Sequence, residues 1–126
     1  TELLRHLKAS AFAFVLRHES RVTLAGFPSK YSEAITYGTP CIINELPSVR
    51  AYHVEGKMGL TIDPHDRDNA GRRLSDILAM DGKAIIAMKR YCRECNVFTA
   101  EGFRGRVADF FSAISSNLGC VHPKGL

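Results

Sequence analysis

The stretch GFPSKYSEAITYGTPCIIN, residues 26–44, decides how the chain folds. After a Gly-Phe-Pro turn, apolar side chains recur at helical spacing, and Ser29 stands where an N-cap is expected. Gly38 suits the end of this helix, and Pro40 leads into CIIN, a continuous apolar run typical of a strand buried on both faces. The stretch therefore predicts a short helix that leads directly into an internal strand of a parallel sheet.

Two other apolar runs predict strands on either side of that one. AFAFVL at 11–16 precedes a polar loop at 17–29, and GLTID at 59–63 is closed by Pro64. Three strands, near 11–16, 40–44 and 59–63, therefore alternate with helices, which favours right-handed β-α-β crossovers and a parallel sheet. We expect an α/β fold: a partial Rossmann-like domain of about three parallel strands flanked by helices.

Helical patterns fill most of the remaining chain. They predict helices over the first ten residues and near 47–54, 67–80, 83–95 and 100–116. The C-terminal third is therefore expected to be helical, with residues 119–126 as a loose tail. Three parallel strands leave the first strand with an open edge, which further sequence or a second copy of the chain would cover.

The composition of the 126 residues, 45% hydrophobic and 24% charged, is that of a globular domain. The net charge is +4, and six basic residues gather in the C-terminal third: Lys83, Lys89, Arg90, Arg93, Arg104 and Arg106. Such a surface can attract nucleic acid or an anionic membrane, but it is more simply the solvated side of amphipathic helices. No aromatic-rich nucleic-acid motif accompanies it, and we expect no nucleic-acid partner.

The cysteines predict neither a metal nor a redox centre. Cys92 and Cys95 form a lone C-x-x-C, without the second pair that a zinc site needs. They fall late in a helical pattern, rather than at the helix start that lowers the thiol pKa of thioredoxin-like motifs. Reduced structural thiols and a cytoplasmic location are therefore expected, with a membrane-peripheral location left open.

Candidate chemistry lies outside the carboxyl ends of the predicted strands, where open α/β sheets bind ligands. The loop at 17–29 and NELPS at 44–48 both lead to helix N-termini, whose free N–H groups attract phosphate. Gly26 lets the backbone approach a ligand. Cations that could neutralise a diphosphate there are Arg17, His18, Arg21 and Lys30.

Glu33, one turn into the helix, has two interpretations. Its carboxylate could accept hydrogen bonds from a ribose diol, or it could simply be favoured by the helix dipole. The chain has no G-x-G-x-x-G, P-loop or G-x-S-x-G motif, so a nucleotide would bind without those devices and a serine triad has no support.

The order of segments along the chain is FAFVLR, a long loop, GFPSKYSEAITYGTPCIIN, a short helix and GKMGLTIDPHD. This order resembles the C-terminal, nucleotide-sugar-binding part of retaining glycosyltransferases with the two-domain GT-B fold (glycosyl transferases group 1, family 4-like). That family has E-A-x-x-x-G-x-P-V-I followed by G-x-x-x-x-P-x-D. The corresponding residues are Glu33, Ala34, Gly38, Pro40, Ile42 and Ile43, and then Gly59, Asp63, Pro64 and Asp66. The resemblance covers nearly the whole chain, and its order of motifs is more specific than any single motif.

The resemblance implies a hexosyltransferase that moves a sugar from a nucleotide diphosphate sugar to a saccharide or glycoconjugate acceptor, as in polysaccharide biosynthesis. Glu33 would hold the ribose hydroxyls of the donor, and the loop before it would lie against the diphosphate and the sugar. The donor-binding residues expected are Glu33, Gly26, Phe27, Pro28, Ser29, Lys30 and, from its charge, Arg21. No cofactor besides the donor substrate and no metal are expected.

The chain departs from the family pattern in two ways. Ala25 stands where the family usually has a second acid, eight residues before Glu33. The resemblance also implies that the chain starts partway through the donor-binding sheet, and we expect the N-terminal, acceptor-binding domain to lie outside these residues. We therefore expect residues 1–118 to be the C-terminal half of a donor-binding domain, with weak or no donor binding and no transfer activity alone.

Two other functions stay open at this level. A non-catalytic α/β module could interact or form homo-oligomers through the open edge of its first strand. A basic surface module could bind anionic membrane or nucleic acid, and its affinity would then fall steeply with salt.

Overall fold

The computed structural model describes residues 2–118, and the predicted tail at 119–126 lies outside them. The chain divides into two compact units, one of residues 1–96 and one that begins at Val97. The elements of the first unit are α1 (Glu2–Ala9), β1 (Ala13–Val15), α2 (Arg21–Ala25), α3 (Ser29–Thr36), β2 (Cys41–Ile43), α4 (Pro47–Arg50), β3 (Gly59–Thr61), α5 (Arg67–Leu78) and α6 (Gly82–Glu94). The second unit contains α7 (Ala100–Leu118). Within the described range, no helix is both long and apolar enough to cross a membrane.

The three strands form one parallel sheet in the order β1-β2-β3. Ala13 lies opposite Cys41, and Cys41 lies opposite Gly59, so the strands are in step and end at the same edge. We call this edge, formed by the carboxyl ends of the strands, the carboxyl edge. The predicted α/β fold, with three parallel strands, flanking helices and a helical C-terminal region, is confirmed.

The central strand β2 is covered on both faces. Ile42, which is 1% exposed, packs with Ile62 and with Ile77 of α5. Alternate residues of a strand point to opposite faces, and α3 contacts β1, β2 and α6. Tyr31 and Ile35 of α3 are fully buried in that contact region. The continuous apolar run of β2 therefore has the burial that its sequence predicts.

Two glycines are required by the backbone. Gly38 follows α3 with φ +78°, and its N–H donates to the Ile35 carbonyl at 3.0 Å, which ends the helix as predicted. Gly59 begins β3 with φ +138°, and a side chain there would overlap the backbone of Cys41 in β2. Only glycine combines this conformation with so close a strand contact.

Three local predictions were wrong in detail. Ser29 is not the N-cap of α3, since Pro28 holds the cap position and Ser29 is the first helical residue. The loop predicted at 17–29 contains α2, whose Ser20 cap and Thr23 satisfy each other's backbone N–H groups. Threonine replaces the usual Glu or Gln in this capping box, so the sequence pattern was not evident. The helix that begins at Pro47 ends at Arg50, short of its predicted length.

Cys41, Cys92 and Cys95 are free thiols, while Cys120 lies outside the described residues. Burial raises the pKa of Cys41 and of Cys92 to about 12. Both thiols therefore stay protonated near neutral pH and pack as small apolar groups, which is the structural role that the sequence predicts.

Candidate functional site

Asn44 joins the carboxyl ends of β1 and β2. Its Oδ1 accepts a hydrogen bond from the backbone N–H of Arg17, and its Nδ2 donates to the Arg17 carbonyl, both at 2.9 Å. Asn44 is only 4% exposed, so its amide replaces the strand ladder where the two chains separate. The pair thereby fixes the backbone of Arg17 at the carboxyl edge.

The carbonyl of Gly26 is the second fixed point of this region. It accepts from Arg17 Nη1 at 3.5 Å and from Ser48 Oγ of α4 at 3.2 Å. Gly26 also ends α2, because its N–H donates to the Val22 carbonyl at 3.1 Å. The turn before α3 is therefore tied both to the end of β1 and to the helix that follows β2.

A groove of about 280 Å³ opens between the end of β1 and the start of α3. Its lining consists of Phe14, Val15, Leu16, Arg17, Phe27, Pro28, Ser29 and Lys30. Four of the predicted donor-site residues thus meet in one groove, with Gly26 tethered beside it through the Arg17 side chain. The groove combines an apolar wall with two cations.

The N-terminus of α3 borders this groove without a capping side chain. Pro28 holds the cap position and makes no side-chain hydrogen bond. Its carbonyl accepts from Tyr31 N at 3.0 Å, which is the first N–H used inside the helix. The amides of Ser29 and Lys30 precede that bond, so they have no carbonyl within α3 to donate to. Two backbone donors and the positive end of the helix dipole are therefore directed outward here.

Phe27 is held from behind by two aromatic rings. Its ring meets Tyr31 edge-on at a centroid distance of 6.2 Å and Tyr52 at 5.7 Å. Such edge-to-face pairs are favourable for aromatic rings and fix their orientation. The apolar wall of the groove is therefore a packed structure rather than a loose loop.

Besides Gly26, two predicted donor-site residues lie outside the groove lining. Glu33 is exposed on α3, two residues beyond the buried Tyr31. Arg21 is exposed and is the first residue of α2. Their roles in ligand binding stay predictions.

A second groove, of about 560 Å³, lies at the carboxyl ends of β2 and β3. It is lined by Glu19, Asn44, Glu45, Thr61, Ile62, Asp63, Pro64, His65, Asn69 and Arg73. This groove is larger than the one beside α3, and the sequence did not predict it. The two grooves meet at the hydrogen-bonded pair of Arg17 and Asn44. The polar residues that follow each strand, NE and DPHD, are the signal that could have indicated it.

Residues 2–118 contain no group of three or more His, Cys, Asp or Glu side chains arranged to hold a metal ion. At the carboxyl edge, the groups available for hydrogen bonds and charge interactions are the amides at the start of α3, the cations Arg17 and Lys30, and the carboxylates of the second groove.

The described residues thus combine a parallel sheet with a helix N-terminus that lacks a capping side chain, and with Arg17 and Lys30, at the carboxyl edge. The family model described as glycosyl transferases group 1 matches residues 1–94. The chain therefore belongs to the group 1 glycosyltransferases, of the GT-B type, as its motifs indicated. Neither the curated proteins nor the solved structures gave a match.

Proposed function

We propose that this chain forms the nucleotide-sugar-binding wall of a glycosyltransferase that moves a hexose to a saccharide or glycoconjugate acceptor. The observation that carries the proposal is the uncapped start of α3 beside Arg17 and Lys30. Two backbone N–H groups and two cations suit the oxygens of a diphosphate. The family match supports the same assignment.

Each group has a defined role in this proposal. The amides of Ser29 and Lys30, with the side chains of Lys30 and Arg17, stabilise the charge that develops on the departing diphosphate. Phe27 packs against the apolar face of the sugar or the base. Glu33 accepts hydrogen bonds from the ribose hydroxyls, and Arg21 adds positive charge near the entrance.

The acceptor in this proposal binds to a further domain that residues 1–126 do not supply. The 126-residue chain alone then has no transfer activity and weak affinity for the donor. Transfer of a sugar by this chain on its own would contradict this part of the proposal.

The test is a titration of the ¹⁵N-labelled chain with millimolar UDP-glucose, GDP-mannose and ADP-glucose. We expect amide shifts at Gly26, Ser29 and Lys30 for at least one of them. The Lys30→Ala variant should weaken that binding about tenfold, because a charge-assisted hydrogen bond is lost. Glu33→Gln should weaken binding of the nucleoside diphosphates but leave inorganic pyrophosphate binding unchanged.

Matched controls are available on α6, away from the groove. Lys83→Ala removes one exposed positive charge, as Lys30→Ala does, and Glu94→Gln removes one exposed negative charge, as Glu33→Gln does. They should leave the titrations unchanged. A panel that is silent with this chain and with a longer protein that contains it would overturn the proposal.

One observation favours a second candidate, a module that associates through its sheet. Among residues 2–118, β1 pairs with β2 alone, and Phe14 and Leu16 beside this open edge are 61% and 46% exposed. A second copy could pair with such an edge. Mass measurement in dilute solution tests it: a dimer that dissociates when Phe14 is replaced by Lys supports the module, and a persistent monomer excludes it.

A further inference from the structure

A chain of polar contacts runs from the buried Tyr31, behind the groove beside α3, to Glu55, whose side chain is half exposed. Tyr31 Oη lies 2.9 Å from His53 Nδ1, and His53 Nε2 lies 3.4 Å from Glu55 Oε2. Tyr31 is 0% exposed, and the His53 side chain is 6% exposed. We call these three side chains the Tyr31–His53–Glu55 relay. It connects α3 to the segment between α4 and β3.

Glu55 is a firm anchor for one end of the relay. Its carboxylate accepts from Thr61 N at 3.0 Å and Thr61 Oγ1 at 2.9 Å, and it pairs with Arg73 Nη2 of α5 at 2.6 Å. Partial burial raises the pKa of Glu55, but the bonds from Thr61 and Arg73 outweigh this and hold the pKa below its ordinary value. Glu55 is therefore an anion at neutral pH.

The anion decides which nitrogen of His53 carries the proton. His53 Nε2 is buried and makes no well-aligned hydrogen bond within the described residues. Placed 3.4 Å from a carboxylate, this nitrogen is favoured as N–H, since a lone pair there would face the negative oxygen. Nδ1 is then unprotonated and accepts the hydroxyl proton of Tyr31. The relay thus has one direction: Tyr31 donates to His53, and His53 faces Glu55.

The other end of the relay reaches the groove wall. Tyr31 packs edge-on against Phe27, and the Tyr52 ring, adjacent to His53 in sequence, packs against the same Phe27. Two consecutive residues of one loop therefore support the wall: Tyr52 contacts Phe27 directly, and His53 bonds to Tyr31, which packs against Phe27.

We propose that His53 is a positioning residue, which sets the place of the Phe27–Lys30 wall through its hydrogen bond to Tyr31. This inference rests on the proposed donor-binding function of that wall. His53 does not line the groove beside α3. Its action on a donor is therefore indirect, through the orientation of α3 and its uncapped amides.

The relay has a pH dependence that follows from its geometry. Burial lowers the pKa of His53, and the nearby Glu55 opposes this only in part, so the neutral form prevails at pH 7. Protonation adds an N–H at Nδ1, and the Tyr31 hydroxyl proton must then turn away from it. The ionisable groups that face His53 are Tyr31 from α3 and Glu55 from its own loop, with Arg73 behind Glu55; Glu45 and Arg50 line the adjoining cavity.

The experiment compares the wild type with three His53 and Tyr31 variants of the full chain. His53→Asn places a side-chain oxygen near the position of Nδ1 and does not titrate, His53→Leu removes the acceptor, and Tyr31→Phe removes the donor. The control is His6→Asn, an exposed histidine of α1. Ligand-free spectra report the amides of Phe27, Ser29, Lys30 and Tyr31 (the wall amides) and the imidazole nitrogens, and UDP and GDP are the binding probes from pH 5 to pH 8.

We expect His53 to show the Nε2–H tautomer, and the wall amides to shift in His53→Leu and Tyr31→Phe. Affinity for the bound probe should fall about five- to tenfold in both, the cost of one lost buried hydrogen bond. Compared with His53→Leu, His53→Asn should recover most of the affinity for the probe. Its affinity should also stay constant at acid pH, where that of the wild type declines. His6→Asn should match the wild type in every measurement.

Three outcomes would overturn the inference. The first is an Nδ1–H tautomer of His53, and the second is unchanged wall amides in His53→Leu. The third is an equal loss of probe affinity in His53→Asn and His53→Leu that parallels their loss of thermal stability. Failure of the proposed function looks different. In that case neither UDP nor GDP binds to any form of the chain, while the tautomer and the wall amides still test the positioning role.

Discussion

Two neighbouring strands of the same sheet, β1 and β2, have opposite surroundings. Cys41, Ile42 and Ile43 of β2 are at most 3% exposed. In and beside β1, Phe14 is 61% exposed and Leu16 is 46% exposed. Both strands are short, apolar and parallel, so neither composition nor strand direction explains the difference.

The difference follows from the number of neighbours. β2 has a strand on each side and helices over both faces, whereas β1 has one neighbouring strand within the part of the chain that the structure describes. We call the part of the sheet around β2 and β3 the closed side, because its buried side chains stabilise the fold. The part around β1, with the exposed edge and the groove beside α3, is the open side. A parallel sheet normally has both faces covered, so the exposure of Phe14 and Leu16 is unusual for this kind of sheet.

The largest expected effect lies on the closed side, at the contact of β3 with β2. Gly59→Ala should lower the free energy of unfolding by more than about 4 kcal/mol, since the new Cβ would overlap the Cys41 backbone. Urea denaturation measures this loss. Gly56→Ala is the matched control, because Gly56 also has positive φ but open space around it, and it should cost only about 1 kcal/mol. Equal losses in the two variants would show that the β2–β3 contact is not tight.

A smaller effect is expected from truncation within each strand. Ile42→Ala should destabilise by about 2–5 kcal/mol, because it leaves a cavity in the cluster with Ile62 and Ile77. Phe14→Ala in β1 should cost less than about 1 kcal/mol, because most of that ring is already in water. Thermal and urea unfolding of the two variants measure the contrast. A large loss for Phe14→Ala would mean that the edge is covered in solution.

The smallest expected effect is the pH dependence of the free energy of unfolding that arises from His53 and Glu55, in the segment before β3. The pKa of His53 is lowered by burial, so the unfolded chain binds its proton more readily. The free energy of unfolding should therefore decrease as pH falls through the unfolded-state value of about 6.5 toward the lowered native pKa. Glu55, whose pKa is also lowered, should add a further loss at more acid pH.

Urea unfolding at several pH values in wild type and His53→Asn measures this effect. The step just below pH 6.5 should disappear in the variant, and the exposed His6→Asn control should retain it. If the free energy of unfolding of the wild type stayed constant as the pH falls below 6.5, the buried, neutral state of His53 would be contradicted.

Much of the fold could be read from local patterns. The apolar runs predicted the three strands, and the CIIN run predicted a strand closed on both faces. Gly38 marked the end of α3, where a positive φ is required. The errors came from less typical caps, such as Pro28 before α3 and Thr23 in the capping box of α2.

The site could be predicted only in part. The residues from Phe27 to Lys30 are adjacent in sequence, so they were expected together and do meet in one groove. The bonds that fix this groove join Arg17 to Asn44, 27 residues apart, and Tyr31 to His53, 22 residues apart. No local sequence pattern indicates such pairs, because the residues adjacent to each partner do not show which distant side chain it will contact.

The sequence by itself determined the order of strands and helices, the turn at Gly38 and the motifs that place the chain among the group 1 glycosyltransferases. These features depend on residues within a few positions of one another. Only the tertiary structure decided that β1 stays open, that Asn44 ties Arg17, and that His53 is buried between Tyr31 and Glu55. Those outcomes depend on how the crossovers fold back on the sheet, which brings distant side chains within hydrogen-bond distance and removes them from water.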